Sequence, residues 1–396
     1  MKKILQLGAN HFQITVIKAA KNMGCHVITA DYLPENPGHR FSDEYHNVST
    51  IDKDGIFELA KRLNIDAIVS YASDISAPIA AYVAEKLGLP TNPYESVVLL
   101  TRKDLTKNFL KKHNFNVPKS DLFYNIDAAY QYYMDLNKTS IIKPVDSNGS
   151  KGVSIISDAK EFDTAFSTAL TFSREKKVIV EEFIQRDSYQ IAGDAFIMNG
   201  EVVYFGFMNE HFDKYCNPLV PIGESFPSIL SDALKDKART EINRFMHLLD
   251  MKSGPINMDF IVNNEGEVYI IEIGPRSGGN LITDIIAEAE GINLAECMIR
   301  AALGEKVTLT PQKNKQYIAS YIIHASKNGA LKRVELRPEF EKDILMRMDF
   351  NKNGDYVNRF DNAALGLGAL LFKNGSIEEM LFRMDNMQEF IQVITE

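Results

Sequence analysis

The pattern of greatest chemical interest is a pair of carboxylates in one β-hairpin. The segment 257–273 reads as two apolar strands around an Asn-Asn-Glu-Gly turn, with Asp259 in the first strand and Glu272 in the second. If Val262 pairs with Glu267, the two carboxylates share a face as diagonal neighbours. Neighbouring carboxylates repel unless a proton or a cation lies between them, and Mg²⁺ is the natural oxygen-binding cation beside phosphates. The hairpin therefore predicts a metal site; the alternative is that one carboxylate is exposed or paired with an arginine.

Two segments rich in small residues carry cationic side chains near this pattern. Directly after the hairpin, the turn 274–280 contains Arg276, whose planar guanidinium suits phosphate or carboxylate oxygens. Lys143 ends an apolar run, and the loop 146–152 that follows is composed mostly of Ser, Asn and Gly, as a phosphate-covering loop would be. The loop lacks the GxxxxGK[ST] pattern of a Walker A loop. Both segments favour anion binding, although Arg276 alone would equally suit a surface helix cap.

The elements of the first hundred residues alternate between strands and helices. Strands are expected at 4–7, 27–30 and 67–71, and helices at 14–23, 56–63 and 78–87. This alternation is typical of a parallel sheet with helices on both faces. The turn after the first strand lacks the further glycines of a dinucleotide-binding fingerprint, so an NAD site is not expected. Asp31 and Asp74 follow strands and would lie at the carboxyl edge of the sheet, where ligands bind in open α/β folds.

The pattern changes after a basic helix predicted at 102–113. The elements expected beyond it are strands at 141–142, 153–156 and 178–180, a helix at 162–173, a hairpin over 190–207 that turns at Asn199-Gly200, and a long helix at 233–249. A last segment, from about residue 307, mixes strands with a terminal helix near 377–390.

Composition bounds the class of protein. A chain of 396 residues, of which 45% are hydrophobic, is expected to form two or three packed domains. The formal net charge of -9 argues against a nucleic-acid partner, whose phosphates demand a basic surface. Cys25, Cys216 and Cys297 form no CxxC pair, so reduced thiols in a cytoplasmic protein are expected rather than a zinc site or a disulfide framework. Neither a signal peptide nor a membrane-spanning segment is recognised.

The ordered set of these motifs resembles the ATP-grasp superfamily over nearly the whole chain. The motifs are Lys103, Ile142-Lys143, the loop 146–152, the run 180–184, Asp259-Phe260 and the run 272–279. The first domain resembles especially the carbamoyl-phosphate-synthetase-like and amino-acid-ligase-like branches, through Gly8, Ala19-Ala20, Gly24, Asp31, Pro34, Pro37-Gly38 and Asp43-Glu44. The resemblance implies a fold of α/β and α+β class. It comprises an N-terminal doubly wound α/β domain over 1–101, an ATP-grasp domain over 102–304 with a mobile lid subdomain at about 121–185, and a small C-terminal domain over 305–396.

The resemblance also implies roles for single residues. Asp259 and Glu272 would hold Mg²⁺, which Mn²⁺ can replace. Arg276 and Lys214 would be the catalytic cations, with Arg276 stabilising the transferring phosphoryl group or the acyl phosphate. The residues implied to contact ATP are Lys103, Lys143, Ser147, Gly149, Ser150, Glu181, Glu182, Phe183, Ile184, Asp187 and Ser188.

Two positions depart from the family pattern. Gly274 stands two residues after Glu272, where the family usually has a third metal-side Asn, so one metal ion is expected to be more hydrated. Ser188 stands where the family tends to place an acid for the ribose hydroxyls, and Asp187 precedes it. The ribose contact is therefore left open between these two residues.

The activity implied by the resemblance is that of a carboxylate–amine ligase. The γ-phosphoryl group of ATP would pass to a small-molecule carboxylate, and a small-molecule amine would then displace phosphate from the acyl phosphate. An amino-acid or dipeptide ligase is the first expectation, and a glycinamide-ribonucleotide-type or sugar-acid amide ligase is the alternative. Biotin carboxylase is less favoured, because its longer glycine run is absent. A non-catalytic ATP-binding regulatory protein is the alternative of another class. A homodimer is considered, whereas membrane and nucleic-acid partners are not expected.

Overall fold

The chain begins with a parallel four-stranded sheet, in the order β3-β2-β1-β4. The computed structural model describes residues 1–147, 149–312 and 316–396, so Asn148 of the predicted loop 146–152 lies outside the described residues. The elements of this first region are β1 (Lys3–Leu7), α1 (Ile14–Asn22), β2 (His26–Ala30), β3 (Glu44–His46), α2 (Lys53–Leu63), β4 (Ala67–Ser70) and α3 (Ala77–Leu87). The predicted parallel α/β arrangement is confirmed.

A second, antiparallel sheet has the strand order β5-β8-β6-β7, and we call it the lid sheet. Two helices connect it to the first region, α4 (Tyr94–Leu100) and α5 (Lys103–Lys112). Its own elements are β5 (Ser120–Phe123), α6 (Ile126–Leu136), β6 (Ser140–Pro144), β7 (Ser154–Ile156), α7 (Phe162–Phe172) and β8 (Val178–Glu182). Because α6 and α7 pack on one face of the sheet around the fully buried Phe162, only the opposite face can contribute to a site.

The largest sheet has eight strands in the order β13-β12-β9-β10-β11-β14-β18-β16, and we call it the central sheet. Five of its strands and three helices lie between residues 190 and 302: β9 (Gln190–Met198), β10 (Glu201–Phe212), β11 (Pro221–Phe226), α8 (Asp232–Leu248), β12 (Gly254–Val262), β13 (Val268–Gly274), α9 (Ile282–Glu290) and α10 (Leu294–Ala302). The predicted hairpin at Asn199-Gly200 is the β9–β10 connection, and both turn residues have positive φ.

The last ninety residues extend the same central sheet. Their elements are β14 (Tyr317–Ile323), β15 (Gly329–Leu336), α11 (Pro338–Glu341), β16 (Ile344–Asp349), β17 (Tyr356–Val357), β18 (Gly368–Asn374), α12 (Ile377–Asp385) and β19 (Ile391–Thr395). Strand β14 pairs with β11, while β17, β15 and β19 form a separate small sheet. The predicted domain boundary at 304 therefore separates two chain segments that share one continuous sheet.

Helices cover both faces of the parallel sheet, as the apolar runs of its strands require. Helices α2 and α3 cover one face, where Ile56, Leu59 and Val83 contribute to a core with the strands. The other face is covered by α1 and by α10, which comes from far along the chain and contributes Met298 and Ile299. Since α10 follows the carboxylate hairpin in sequence, this packing fixes the first region against the central sheet.

The carboxylate hairpin is present, but its register differs from the prediction. Val262 pairs with Val268 rather than with Glu267, and the register shifts between Asp259 and Phe260. This β-bulge brings Asp259 directly opposite Glu272, whereas the predicted pairing made them diagonal neighbours. A bulge adds one residue to one strand, and so changes which side chains share a face. Without it, the register at Val262 would place the two carboxylates on opposite faces.

Among the described residues, no helix has both the length and the apolar character needed to cross a membrane.

We expect Gly193→Ala to destabilise the central sheet. Gly193 lies in β9 with φ +134, and a Cβ atom there would lie 2.0 Å from the backbone oxygen of Gly206 on β10. Both the backbone conformation and the contact oppose any side chain, so a loss of roughly 2 kcal/mol or more in unfolding free energy is expected. Gly279→Ala is the matched control, because no atom lies within 4 Å of its added Cβ and its φ is ordinary. Equal melting temperatures for the two variants in thermal unfolding would contradict the close approach of β9 and β10.

Candidate active site

A cavity of about 490 Å³ lies between the lid sheet and the central sheet. Part of its lining is apolar, and the residues that contribute are Ile141, Val153, Ile155, Phe183, Ile184, Ile261 and Ile271. The rest includes charged residues of both sheets and Asp74 from the loop after β4. A cavity with both kinds of lining is suited to a ligand that carries a flat ring and anionic groups.

A buried ion-pair cluster lies on the lid side of the cavity. Lys143 Nζ lies 3.0 Å from Glu181 Oε1, and Lys107 of α5 contacts the other oxygen of the same carboxylate. The pKa of Lys143 is lowered to about 8, mainly by burial and then by the nearby Lys103 charge, while Glu272 opposes the shift. Because β8 alternates its side chains, Glu181 faces the cavity, whereas Glu182 bonds Lys138 at 2.9 Å on the opposite face.

Lys103 joins the loop 146–152, which we call the lid loop, to the carboxylate hairpin formed by β12 and β13. Its Nζ lies 3.2 Å from Glu272 Oε2 and donates to the backbone oxygen of Ser147 at 3.1 Å. The same loop is anchored at two further points. Ser150 Oγ donates to Leu219 O at 2.7 Å, and the Ala363 N–H donates to Gly149 O at 3.2 Å. The loop 146–152 thus contacts α5, the segment after β10 and the last region of the chain.

Arg276 forms a bidentate ion pair with Asp74 in the first region. Its Nε and Nη2 donate to the two carboxylate oxygens at 2.8 and 2.6 Å. The turn that carries Arg276 is held by Asp194, which accepts hydrogen bonds from the backbone of Gly278 at 2.8 Å and from Asn257 Nδ2 at 3.1 Å. The guanidinium is therefore held at the charged end of the cavity by groups from three elements.

Asp259 has no hydrogen bond or ion pair to any residue in the part of the chain that the structure describes. Its pKa is raised to about 7, mainly by burial and then by the negative charge of Glu272, while Arg276 opposes the shift. An acid with a raised pKa favours its neutral form in the folded state, so ionisation of Asp259 costs stability as the pH rises towards 7. Two opposed carboxylates, one without a partner, are a donor set that fits Mg²⁺, which would remove this cost.

The acidic character of the cavity continues along the central sheet. Glu210 of β10 and Glu224 of β11 are paired residues, and both are buried. Burial raises the pKa of Glu224 to about 8, against the hydrogen bonds that it accepts from Asn280 and Ser320. Burial also raises the pKa of Glu210 well above its usual range, and Asp259 and Glu224 add to the shift. This acidic part of the cavity wall favours a cationic ligand. Lys103, Lys107 and Lys143 on the lid side favour an anionic one.

The structure brings most of the predicted residues together and leaves four outside the cavity. Those that line it are Lys103, Lys143, Ser147, Gly149, Ser150, Glu181, Phe183, Ile184, Asp259, Glu272 and Arg276. Glu182, Asp187, Ser188 and Lys214 are not among its lining residues. Lys214 is exposed, with its ammonium 5.1 Å from the ring centroid of Tyr215. The roles assigned to all of these residues stay predictions.

Sequence reasoning missed several charged residues of the cavity. Lys107 lies one helical turn after Lys103 on α5, a spacing that puts both ammonium groups on one helix face. Glu210 and Glu224 gave no usable signal, because an acid in a strand is usually exposed. Arg186 also lines the cavity, and among the described residues it has no ion-pair partner within hydrogen-bonding distance; its guanidinium lies 4.8 Å from the Phe212 ring centroid.

The chain is similar to known proteins in one domain, in full-length sequence and in fold. A model of the ATP-grasp domain matches residues 101–280. A formate-dependent phosphoribosylglycinamide formyltransferase of Prochlorococcus marinus is 24% identical over 409 aligned positions, which cover 100% of this chain and 99% of the relative. Among solved structures, an L-amino acid ligase from Bacillus licheniformis has a TM-score of 0.82 with this chain at 18% identity. The match covers 100% of this chain and 99% of that one.

A third comparison concerns a structure with bound nucleotide. The biotin carboxylase domain of the 2-oxoglutarate carboxylase of Hydrogenobacter thermophilus, in complex with ADP, magnesium and bicarbonate, has a TM-score of 0.78 at 16% identity. The match covers 100% of this chain and 91% of that one. At such low identity, the two solved structures establish the likeness of the fold and leave substrate choice open.

We expect Asp259→Asn to stabilise the ligand-free protein at pH 8 while it weakens Mg²⁺-dependent ATP binding. The amide removes the buried charge whose pKa is raised to about 7, so the variant should melt ~1–2 °C higher than wild type at pH 8. This difference should shrink as the pH falls to 5, where the wild-type carboxyl is protonated. Calorimetry with ATP should show Mg²⁺-dependent binding in wild type that the variant has lost.

Glu265→Gln is the matched control for this experiment, since it removes an exposed carboxylate from the turn of the same hairpin. Two results would argue against a metal site at Asp259 and Glu272. One is a Glu265→Gln variant that behaves like Asp259→Asn, and the other is wild-type ATP binding that is equal with and without Mg²⁺.

Proposed function

We propose that this chain, which carries an ATP-grasp domain, is an ATP-dependent ligase that joins a carboxylate to an amine. The observation that carries the proposal is the single cavity in which Lys103, Lys143 and Arg276 converge on the opposed carboxylates of Asp259 and Glu272. The apolar side chains that also line the cavity would suit the adenine ring. A divalent cation held by Asp259 and Glu272 would supply charge neutralisation for the phosphates.

The proposed reaction has two steps, and its atoms balance. A carboxylate oxygen of the first substrate attacks the γ-phosphorus of ATP, so that ADP leaves and an acyl phosphate forms. The amine of the second substrate then attacks the acyl carbon, phosphate leaves, and one proton of the amine passes to solvent or to a nearby base. Carboxylates are poor electrophiles, and the phosphoryl group supplies the leaving group that they lack. Lys103, Lys143 and Arg276 bind and orient anionic groups, and no covalent nucleophile of the protein is required.

Ion pairs that already exist in the cavity prepare the site for an anion. Lys143 is held by Glu181, Lys103 by Glu272 and Arg276 by Asp74, so each cation is fixed in place before ATP arrives. A cation that is positioned in advance costs little reorganisation when charge develops on the phosphoryl group. Ser147 of the loop 146–152 accepts a hydrogen bond from Lys103, so this loop would be placed to shield the acyl phosphate from hydrolysis by water.

The acidic half of the cavity favours an amino acid as the second substrate. Glu210 and Glu224 offer buried carboxylates, which would stabilise an ammonium group and repel a phosphate. We therefore place an amino-acid or dipeptide ligase first. The second candidate is a glycinamide-ribonucleotide-type ligase, which the full-length similarity to a formate-dependent phosphoribosylglycinamide formyltransferase supports. A phosphate on that substrate would need a cation, which Arg186 at the cavity wall could supply.

We expect ADP and phosphate release from Mg-ATP only when a carboxylate and an amine are both present. Two substrate mixtures distinguish the candidates: pairs of amino acids, and formate with phosphoribosylglycinamide. ATP without either mixture gives the background release. Lys143→Ala should abolish release, since it removes the buried phosphate-side cation, while the exposed Lys160→Ala on the lid serves as control. ATP binding without release in any mixture would instead support a regulatory ATP-binding protein. Release that Lys143→Ala leaves unchanged would contradict the site.

We expect Arg276→Lys to lower kcat much more than ATP affinity. Lysine keeps the charge but cannot make the two parallel hydrogen bonds to Asp74, so the cation should lose its position. Loss of one charge-stabilising donor typically costs on the order of a hundredfold in rate. Asp74→Asn is the companion variant, since it keeps the guanidinium and weakens only its anchor; its kcat should fall less. If Arg276→Lys loses ATP binding as completely as activity, Arg276 is a nucleotide anchor instead.

A further inference from the structure

A second cluster of metal-ligating side chains lies outside the cavity, where the segment after β10 meets the end of β14. Asp213, Cys216 and His324 each offer one ligand atom there, and these three atoms lie within 4.8 Å of one another. Cys216 and His324 are buried, and Asp213 is partly exposed. No residue of the trio lines the cavity described above. The spacing in sequence hides the cluster, because 108 residues separate Cys216 from His324 and no CxxC or HxxxH pattern is present.

The hydrogen bonds around the cluster aim one ligand atom of each side chain inward. His324 Nδ1 bonds the backbone oxygen of Ile322 at 2.7 Å, so Nε2 is the atom that faces Asp213 Oδ2, at 2.8 Å. Asp213 Oδ1 accepts from the Tyr215 N–H at 2.6 Å, which leaves Oδ2 for the cluster. A histidine whose second nitrogen bonds a backbone carbonyl is the usual arrangement of a metal ligand.

The backbone of Cys216 is also held in place. Arg359 Nη2 donates to the carbonyl oxygens of Tyr215 and Cys216 at 3.2 and 2.9 Å. The thiol lies 3.9 Å from Ala325 O and also interacts with Asp213 and His324. Phe360 stacks on the His324 ring at a centroid distance of 4.6 Å, which fixes the orientation of the imidazole. Each of the three ligand residues is therefore held by contacts with neighbouring groups.

We propose that Asp213, Cys216 and His324 form a binding site for a thiophilic divalent cation of the zinc type. A thiolate, an imidazole and a carboxylate are together the donor set that Zn²⁺ and Co²⁺ prefer, whereas Mg²⁺ and Ca²⁺ take oxygen ligands. The two negative ligands neutralise the charge of the cation, which a buried site requires. On binding, the Cys216 S–H bond and the His324 Nε2–H bond break, sulfur–metal and nitrogen–metal bonds form, and both protons pass to the buffer.

The geometry needs only a small adjustment to admit the ion. Tetrahedral zinc with ordinary bond lengths separates its nitrogen and oxygen ligands by ~3.4 Å and its sulfur and nitrogen ligands by ~3.6 Å. The Asp213–His324 distance of 2.8 Å is that of a hydrogen bond, which the metal would replace. With all ligand atoms within 4.8 Å, the thiol would move by about 1 Å at most. Three protein ligands leave the fourth position for water, on the side where Asp213 is partly exposed.

A cation at this site would stiffen the support of the lid loop. Asp213 and Cys216 belong to the segment 213–220, and Leu219 of that segment accepts the hydrogen bond from Ser150 Oγ. His324 belongs to the last region, which also contacts the loop through Ala363 and Gly149. The metal would thus join the two surfaces on which the lid loop rests. This inference is independent of the proposed ligase activity.

The test uses Co²⁺ as a spectroscopic probe on the full chain, stripped with a chelator and kept reduced. In excess Mg²⁺, wild type should bind one equivalent of Co²⁺ with a thiolate-to-cobalt charge-transfer band, and Zn²⁺ should displace it. Cys216→Ser should lose the band, and His324→Gln should weaken binding at least tenfold. Cys297→Ser, which removes another buried cysteine, is the matched control and should keep the band. The oxygen-only pair Asp259 and Glu272 cannot produce such a band.

Two outcomes would overturn the proposal. The absence of a charge-transfer band in wild type would show that the trio is only a buried His324–Asp213 ion pair beside a thiol. A band that persists in Cys216→Ser would place the metal elsewhere. Thermal unfolding gives a second readout: Zn²⁺ should raise the melting temperature of wild type and Cys297→Ser but not that of Cys216→Ser, since binding stabilises only the form that holds the ligands together. Circular dichroism without metal checks that each variant folds.

Discussion

The architecture around the cavity depends on one electrostatic constraint: charges that are taken out of water must be paired. Lys143 meets Glu181, Lys103 meets Glu272 and Arg276 meets Asp74, and each pair joins groups from different parts of the chain. The first pair joins two strands of the lid sheet, the second joins α5 to the carboxylate hairpin, and the third joins the turn after that hairpin to the first region. Pairing is incomplete on the acidic side, where Asp259, Glu210 and Glu224 keep raised pKa values. The cavity thus presents paired cations on one part of its wall and incompletely paired carboxylates on another.

The fold class and most elements could be predicted from the sequence, because they follow from local apolar periodicity. The strands at 4–7 and 27–30 and the helix at 78–87 lie within two residues of their predicted bounds. The hairpin also shows the limit of this reasoning. Apolar alternation locates its strands but not its hydrogen-bond register, and the bulge at Asp259 depends on packing across the sheet. The sequence placed the two carboxylates on one face, as the structure does, but through a strand pairing that the structure does not have.

The rest of the site could not be predicted because it is assembled over long distances in the chain. Asp74 was expected at the carboxyl edge of the first sheet, but nothing in the sequence links it to Arg276, 202 residues away. Glu210 and Glu224 read as ordinary polar positions of strands, and only the sheet order makes them buried partners. The cysteine spacing argued against a zinc site, and it could not reveal that Cys216 folds against His324. In each case the chemistry is created by tertiary contacts rather than by a motif.

The continuity of the central sheet has a consequence for how this chain can be divided. Strand β11 is covered on one side by β10 and on the other by β14, which belongs to the last region. A chain that stopped near residue 304 would leave the hydrogen-bonding groups of β11 exposed along a bare edge. Bare edges are templates for pairing with other molecules, and they promote aggregation. The last region is therefore an integral part of the central sheet and not an appendage that could be trimmed or exchanged as a module.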